Sequence, residues 1–260
     1  MTQAQDPREI ALEAHRNYYH DGAYDNDRLR WTIEEFLSSR NSGKVLEVGC
    51  GNGALLQLLK ERGLEPVGVD ASMSGIERCA VTGVQAHCLD VSTECLPYAD
   101  DFFDLVFSLE TFEHLMNPHY ALQQVRRVLK PGSRFICSIP NPLTGHPYLY
   151  PGLFHYRNFR LFLEQAGFEI VRVVPWQWAP RETILPPALR GIPVLNGRII
   201  AGGIRRIIAM VYRVAGAFPS FCYWLWTFEC CNNKAEHANP YREVSIQTRP
   251  GSDRHFRVPK

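Results

Sequence analysis

Two groups of residues in this chain have types and spacings that suit chemistry. The first is "VLEVGCGNG", Val45 to Gly53, an apolar run that ends in glycines at positions 49, 51 and 53. Alternating glycines let a turn be tight and let a ligand approach the backbone, and a helix starting at once offers free N–H groups. Glu47 lies inside the apolar run, where a buried strand ordinarily carries no charge. A carboxylate there suits a ligand with a cationic head. Asp70 follows Gly49 by 21 residues and closes a second strand, "EPVGVD". That is where a carboxylate meets ribose hydroxyls at the switch point of an open α/β sheet. The second group is "SLETFEHLMNP". With Glu110 to Leu115 as a helical turn, Glu110, Glu113 and His114 stand at i, i+3 and i+4 on one face. Two carboxylates and an imidazole suit proton transfer from an acceptor hydroxyl. With a remote His146 or His155 they also suit a divalent metal. The favoured reading has no metal and places His114 in the ligand pocket, so no metal ligand is assigned.

The elements that must position these residues alternate. "KVLEV" reads as a strand, "ALLQLLKERG" as a helix closed by Gly63, "EPVGVD" as a strand and "MSGIERCAVTG" as a helix. "VQAHCLDV" and "DFFDLVFSLE" hold further strands, and "HYALQQVRRVLKPG" is a helix with a Pro-Gly stop before the strand "SRFICSIPN". "NFRLFLEQAGFEIVRVVPW" is a helix, a Gly stop and a β-rich run. Short strands alternating with helices imply parallel βαβ units in a doubly wound α/β sheet. Ahead of them, Leu29, Ile33, Phe36 and Leu37 recur at helical spacing, so 1–40 reads as a helical cap.

The 260 residues fit one such domain with an appendage. Lys+Arg 28 against Asp+Glu 27 makes no bulk electrostatic case for nucleic acid. Eight cysteines without a CxxC pair read as reduced, mostly buried thiols of a cytoplasmic protein. The polar N-terminus shows no secretory signal, and no apolar run reaches the length of a membrane span.

At this point the chain resembles the class I S-adenosylmethionine-dependent methyltransferases. "VLEVGCGNG" looks like their first motif, "VGVD" like their ribose-binding strand end, and "CLDV" like the segment that faces the adenine. "FDLVFSLETFEHL" and "VRRVLKPGSRFICSIPN" resemble the fourth-strand and fifth-strand motifs. "HYRNFRLFLEQAGFEIVRV" resembles the following stretch of the ubiquinone-biosynthesis-like O-methyltransferases. The likeness spans roughly 40–175, five motifs in order. It implies a Rossmann-like, mostly parallel seven-stranded sheet over 41–180, with S-adenosylmethionine as cofactor. It also implies that Glu47, Gly49, Gly51 and Gly53 hold the methionine end and Asp70 the ribose. Asp90 and Val91 would meet the adenine edge and Met73 its face, with Cys50 and Ser108 completing the cofactor set. Similar ExxEH sequences occur in ubiquinone O-methyltransferases and in small-RNA 2′-O-methyltransferases. Loops after the fifth strand form the acceptor side of this fold, which points to His155 and Tyr156 for substrate.

From 181 to 231 the texture changes. On a helical wheel Arg198, Arg205, Arg206 and Arg213 share an arc of about 100°, with isoleucines, valines and Met210 opposite. "FPSFCYWLWTF" follows. A basic amphipathic helix and an aromatic run suit a peripheral membrane contact over 192–231, or equally a packed lid or dimer contact. The tail 232–260 is polar and reads as poorly ordered. The function expected is methyl transfer, chiefly to oxygen, of a small or lipid-linked acceptor. Competing readings are a metal-assisted RNA 2′-O-methyltransferase, a nicotinamide dehydrogenase and a non-catalytic scaffold. Near-neutral charge opposes the first, Glu47 the second, and the intact cofactor motifs the third.

Overall fold

The structure, a computed structural model, describes residues 26–37, 41–142, 149–178, 207, 210 and 223–234. The start of the cap, His146, the tail past 234, and all of 181–222 except Ile207 and Met210 lie outside the described residues.

The chain runs α1 (Asn26–Leu37), β1 (Lys44–Val48), α2 (Ala54–Glu61), β2 (Glu65–Asp70), α3 (Met73–Val81), β3 (Gln85–Cys88) and β4 (Phe103–Leu109). A short 3-10 turn, Phe112–His114, leads to α4 (Pro118–Val128), β5 (Leu129–Pro140), α5 (Tyr156–Gln165), β6 (Phe168–Trp178) and β7 (Tyr223–Asn232). One seven-stranded sheet forms in the order β3-β2-β1-β4-β5-β7-β6. β7 runs antiparallel to both of its neighbours, while the pairings among β1 to β5 are parallel. This is the doubly wound, mostly parallel sheet that the alternation of elements predicts.

Side chains alternate across each strand. Leu46 and Val48 of β1 join the core under α4 and α5, with Val106, Phe135, Leu122 and Phe162. Val45 faces the other way and packs with Leu29, Ile33 and Phe36 of α1 and Leu55 and Leu59 of α2. Period two therefore puts Glu47 on the α1 side of the sheet.

Two local expectations are corrected. The Pro-Gly pair does not end a helix, because α4 stops at Val128 and Pro131 and Gly132 already belong to β5. They sit where the pairing with β4 jumps from Phe103↔Leu129 to Leu105↔Arg134, a bulge that Gly132 enters with φ 73°. The aromatic run "YWLWTF", read as part of the lid or membrane segment, is the first half of β7 inside the sheet, with Leu225, Trp226 and Phe228 buried.

The cap helix is bound from several directions. Arg172 of β6 pairs with Glu35 of α1 and with the buried Glu229 of β7, and its guanidinium lies 4.8 Å from the centre of the Phe36 ring. Trp31 packs on Trp176 with ring centres 4.6 Å apart.

Candidate active site

The residues singled out from sequence gather at the C-terminal ends of β1, β2 and β4. β1 ends at Val48, whose carbonyl accepts hydrogen bonds from the hydroxyls of Ser108 (3.1 Å) and Thr111 (3.2 Å). The next two N–H groups, of Gly49 and Cys50, both donate to the carbonyl of Val69. The strand end is thus held between β2 and the loop after β4.

Gly49, Gly51 and Gly53 all have positive φ, at 78°, 53° and 78°. Contact reinforces conformation at two of these sites. A Cβ on Gly49 would fall 2.2 Å from the Thr111 hydroxyl oxygen, and one on Gly53 would fall 2.8 Å from the Cys79 sulfur. The loop closes on α3 so tightly that a Cβ on Gly75 would lie 2.6 Å from the Gly51 carbonyl oxygen.

Asp70 organises the centre. One carboxylate oxygen accepts from the N–H of Gly51 at 2.8 Å and the other from the N–H of Ser72 at 2.8 Å. Ser72 in turn caps α3 by accepting from the N–H of Gly75. The glycine loop, the acid at the end of β2 and the start of α3 are one hydrogen-bonded unit.

Glu47 is buried, and its Oε2 has no hydrogen-bond partner among the described residues. Burial pushes its carboxyl well above the usual range, Cys79 and Asp70 add to the shift, and Arg28 opposes it. An orphaned acid of this kind is costly to the fold unless a ligand uses it. Arg28, from α1, is the cation of the site. It forms an ion pair with Glu110 and also favours the ionised form of Glu113.

The comparisons with known proteins agree with this geometry. Residues 46–137 match the family described as "Methyltransferase domain". Over this stretch the chain is similar to a methyltransferase domain, and the seven-stranded sheet agrees with that likeness. Over 163 residues the chain is 29% identical to the O-methyltransferase resE of Aspergillus sclerotiorum, covering 56% of this chain and 62% of that one. Over 102 residues it is 32% identical to a ubiquinone biosynthesis O-methyltransferase of Cereibacter sphaeroides, covering 38% and 41%. The chain therefore spans less than two thirds of the length of these relatives. A SAM-dependent methyltransferase of Archaeoglobus fulgidus shares the fold, with a TM-score of 0.57 at 19% identity over 87% of this chain and 100% of that one.

Residues of the strand ends fit the cofactor that such a domain implies. The left-handed backbone of Gly49, Gly51 and Gly53 shapes a tight loop at the end of β1, and Glu47 supplies an unsatisfied acceptor next to it. Met73, at the first position of α3, is 57% exposed and so is not a core residue. Asp90 caps a turn, accepting from the Ser92 N–H (2.9 Å) and the Thr93 hydroxyl (3.3 Å), and Val91 is buried in the core. Ser108 and Cys50 are buried too, Ser108 bracing β1 and Cys50 filling the space opposite Gly68.

The face expected of Glu110, Glu113 and His114 does not form. The turn covers only Phe112–His114, and Glu110 lies outside it with a left-handed φ of 50°. Glu110 turns to Arg28, whereas Glu113 is fully buried near Cys137 of β5. Burial raises the Glu113 carboxyl to about 8. His114 stays partly exposed, with its Nε2 3.8 Å from Glu113 Oε1. Among the described residues no cluster of three or more His, Cys, Asp or Glu is arranged to hold a metal ion. His155 is exposed at the N-cap position of α5, while the Tyr156 ring packs against Phe228 and Trp226 of β7 and is part of the scaffold. Sequence reading missed Arg28 and Thr111. Thr111 lies inside the fourth-strand motif, but its bond to Val48 spans 63 residues, and the Arg28 pair with Glu110 joins elements also remote in sequence.

Proposed function

We propose that this chain transfers the methyl group of S-adenosylmethionine to an oxygen of a small, hydrophobic acceptor. The observation that carries the reading is Glu47, a buried carboxylate with an unpartnered oxygen, set beside the glycine loop with the Arg28 guanidinium near it. An amino-acid end carries one charge of each sign, so Glu47 suits its ammonium group and Arg28 its carboxylate. A dinucleotide has no amino-acid end to place between the two. Asp70 and Asp90 lie at the ends of β2 and β3, where the nucleoside would extend. When bound, the cofactor supplies an activated sulfonium methyl for direct displacement. The chain then has to orient the acceptor in line and exclude water. His114, partly exposed in the turn after β4, would take the acceptor's proton.

The oxygen acceptor is supported by the relatives that are named O-methyltransferases. The hydrophobic acceptor is supported by the basic, apolar character of 192–222, where Ile207 and Met210 are each 62% exposed. That segment would lie on an anionic membrane surface.

The decisive experiment compares cofactors and then products. S-adenosylmethionine and S-adenosylhomocysteine should raise the melting temperature, and nicotinamide dinucleotides should not. Incubating the protein and labelled cofactor with a lipid extract should label a product that resists chelator. Stabilisation by the dinucleotide alone would refute the reading. Sedimentation with anionic but not neutral vesicles, lost on combined Arg198→Glu, Arg205→Glu and Arg206→Glu substitution, checks the membrane part.

A further inference from the structure

The Arg28–Glu110 ion pair joins the cap helix to the loop after β4. Its side chains are 14% and 17% exposed, so it is screened less than a surface pair. Glu110 makes this contact from a left-handed backbone conformation, which costs a side-chain-bearing residue about 1 kcal/mol and persists only where surrounding contacts enforce it. The same guanidinium acts on Glu47, at the glycine loop. Arg28 thus sits on the helix that packs against the face of β1 carrying Glu47, and its ion pair ties that helix to the loop after β4.

We propose that Glu110 is an internal competitor for Arg28: it holds the guanidinium until the carboxylate of the cofactor's amino-acid end displaces it, and the displaced Glu110 is then free to act on the acceptor side. This rests on the methyltransferase reading and deepens it. Two carboxylates of the same charge and shape cannot both make the full fork with one guanidinium, so gain by one is loss by the other. Cofactor binding thereby remodels the loop that carries Glu110 and His114, which makes binding ordered, cofactor before acceptor. Glu110 is a positioning and gating residue in this scheme. Its separation from the buried Glu113 follows from its bond to the cap.

The scheme predicts a mutation with an unusual sign. Glu110→Gln removes the competitor, so S-adenosylhomocysteine should bind about three- to tenfold more tightly in a calorimetric titration. Glu110→Asp, which keeps the charge and shortens the reach, should give a smaller gain. Arg28→Gln should weaken binding about tenfold or more, and Arg28→Gln/Glu110→Gln should bind no more tightly than Arg28→Gln alone. The control ligand is 5′-methylthioadenosine, which lacks the amino-acid end and should bind wild type and Glu110→Gln alike. Unchanged or weaker S-adenosylhomocysteine binding by Glu110→Gln would overturn the proposal. So would an equal change for methylthioadenosine, which would indicate general loosening of the site. Wild type binding neither ligand would instead refute the methyltransferase reading itself.

Discussion

Gly49 and Thr111 are in such close contact that a single added carbon on Gly49 would lie 2.2 Å from the Thr111 hydroxyl oxygen. That hydroxyl donates to the carbonyl of Val48, so the residue that denies space to a side chain also fixes the end of β1. Gly49→Ala meets both a left-handed φ of 78° and this overlap. It should cost about 2–4 kcal/mol in denaturant unfolding. Thr111→Ala alone should cost about 1 kcal/mol, for the lost hydrogen bond. Adding it to Gly49→Ala should recover only part of the steric cost, because the Cβ of residue 111 would still lie 2.8 Å from the new methyl.

Asp70 serves the protein before it serves any ligand, since it accepts from both Gly51 and Ser72. Asp70→Ala should weaken S-adenosylhomocysteine binding at least about tenfold and also lower the melting temperature, because charge-assisted bonds to backbone N–H groups are among the stronger ones. Asp70→Asn keeps one acceptor oxygen and should fall between Asp70→Ala and wild type in both measurements.

Glu47 should show opposite effects on stability and binding. Burial keeps the Glu47 carboxyl protonated where the unfolded chain has ionised, which costs stability at neutral pH, so Glu47→Gln should leave the protein as stable or stabilise it by about 1 kcal/mol. The same substitution should weaken cofactor binding, because the acceptor for its ammonium group is gone. A loss of both stability and affinity would mean that Glu47 is structural.

Glu113 gives the fold a pH dependence. Its carboxyl is raised from 4.5 to about 8 by burial, so the folded chain keeps this proton where the unfolded chain has released it. Its contribution is full below the unfolded value, near 4.5, and is lost as pH rises towards about 8. Melting temperatures of wild type and Glu113→Gln measured across that window should diverge as pH rises, with wild type losing more.

Much of the sheet was legible because strand and helix periodicities are local. Leu46 and Val48 against Val45 and Glu47 state the two faces of β1, and Gly63 and Gly167 mark turns with positive φ after α2 and α5. The glycine loop was legible because its constraint, positive φ beside a helix start, is written in glycines. The acceptor side was not. A helical face for Glu110, Glu113 and His114 assumes a continued turn, and the ion pair to Arg28 draws Glu110 out of it. β7 was misread for a related reason. Trp226, Phe228 and Cys230 are buried and so fit either a buried strand or an interfacial segment, and only pairing with β5 and β6 decides between them.

The placement of β7 also bears on the order in which the molecule can be completed as it is synthesised. β5 and β6 do not pair with each other, because the gap between them is filled by residues 223–232. A nascent chain emerging amino end first has both flanking strands available well before the strand that joins them. Until then Phe135, Cys137 and Ile139 on one side and Phe168 and Ile170 on the other border a slot with unpaired backbone on both walls. Closure of the sheet therefore cannot precede synthesis of residues 223–232, and until then the open slot is where a chaperone or a stray strand would first find purchase.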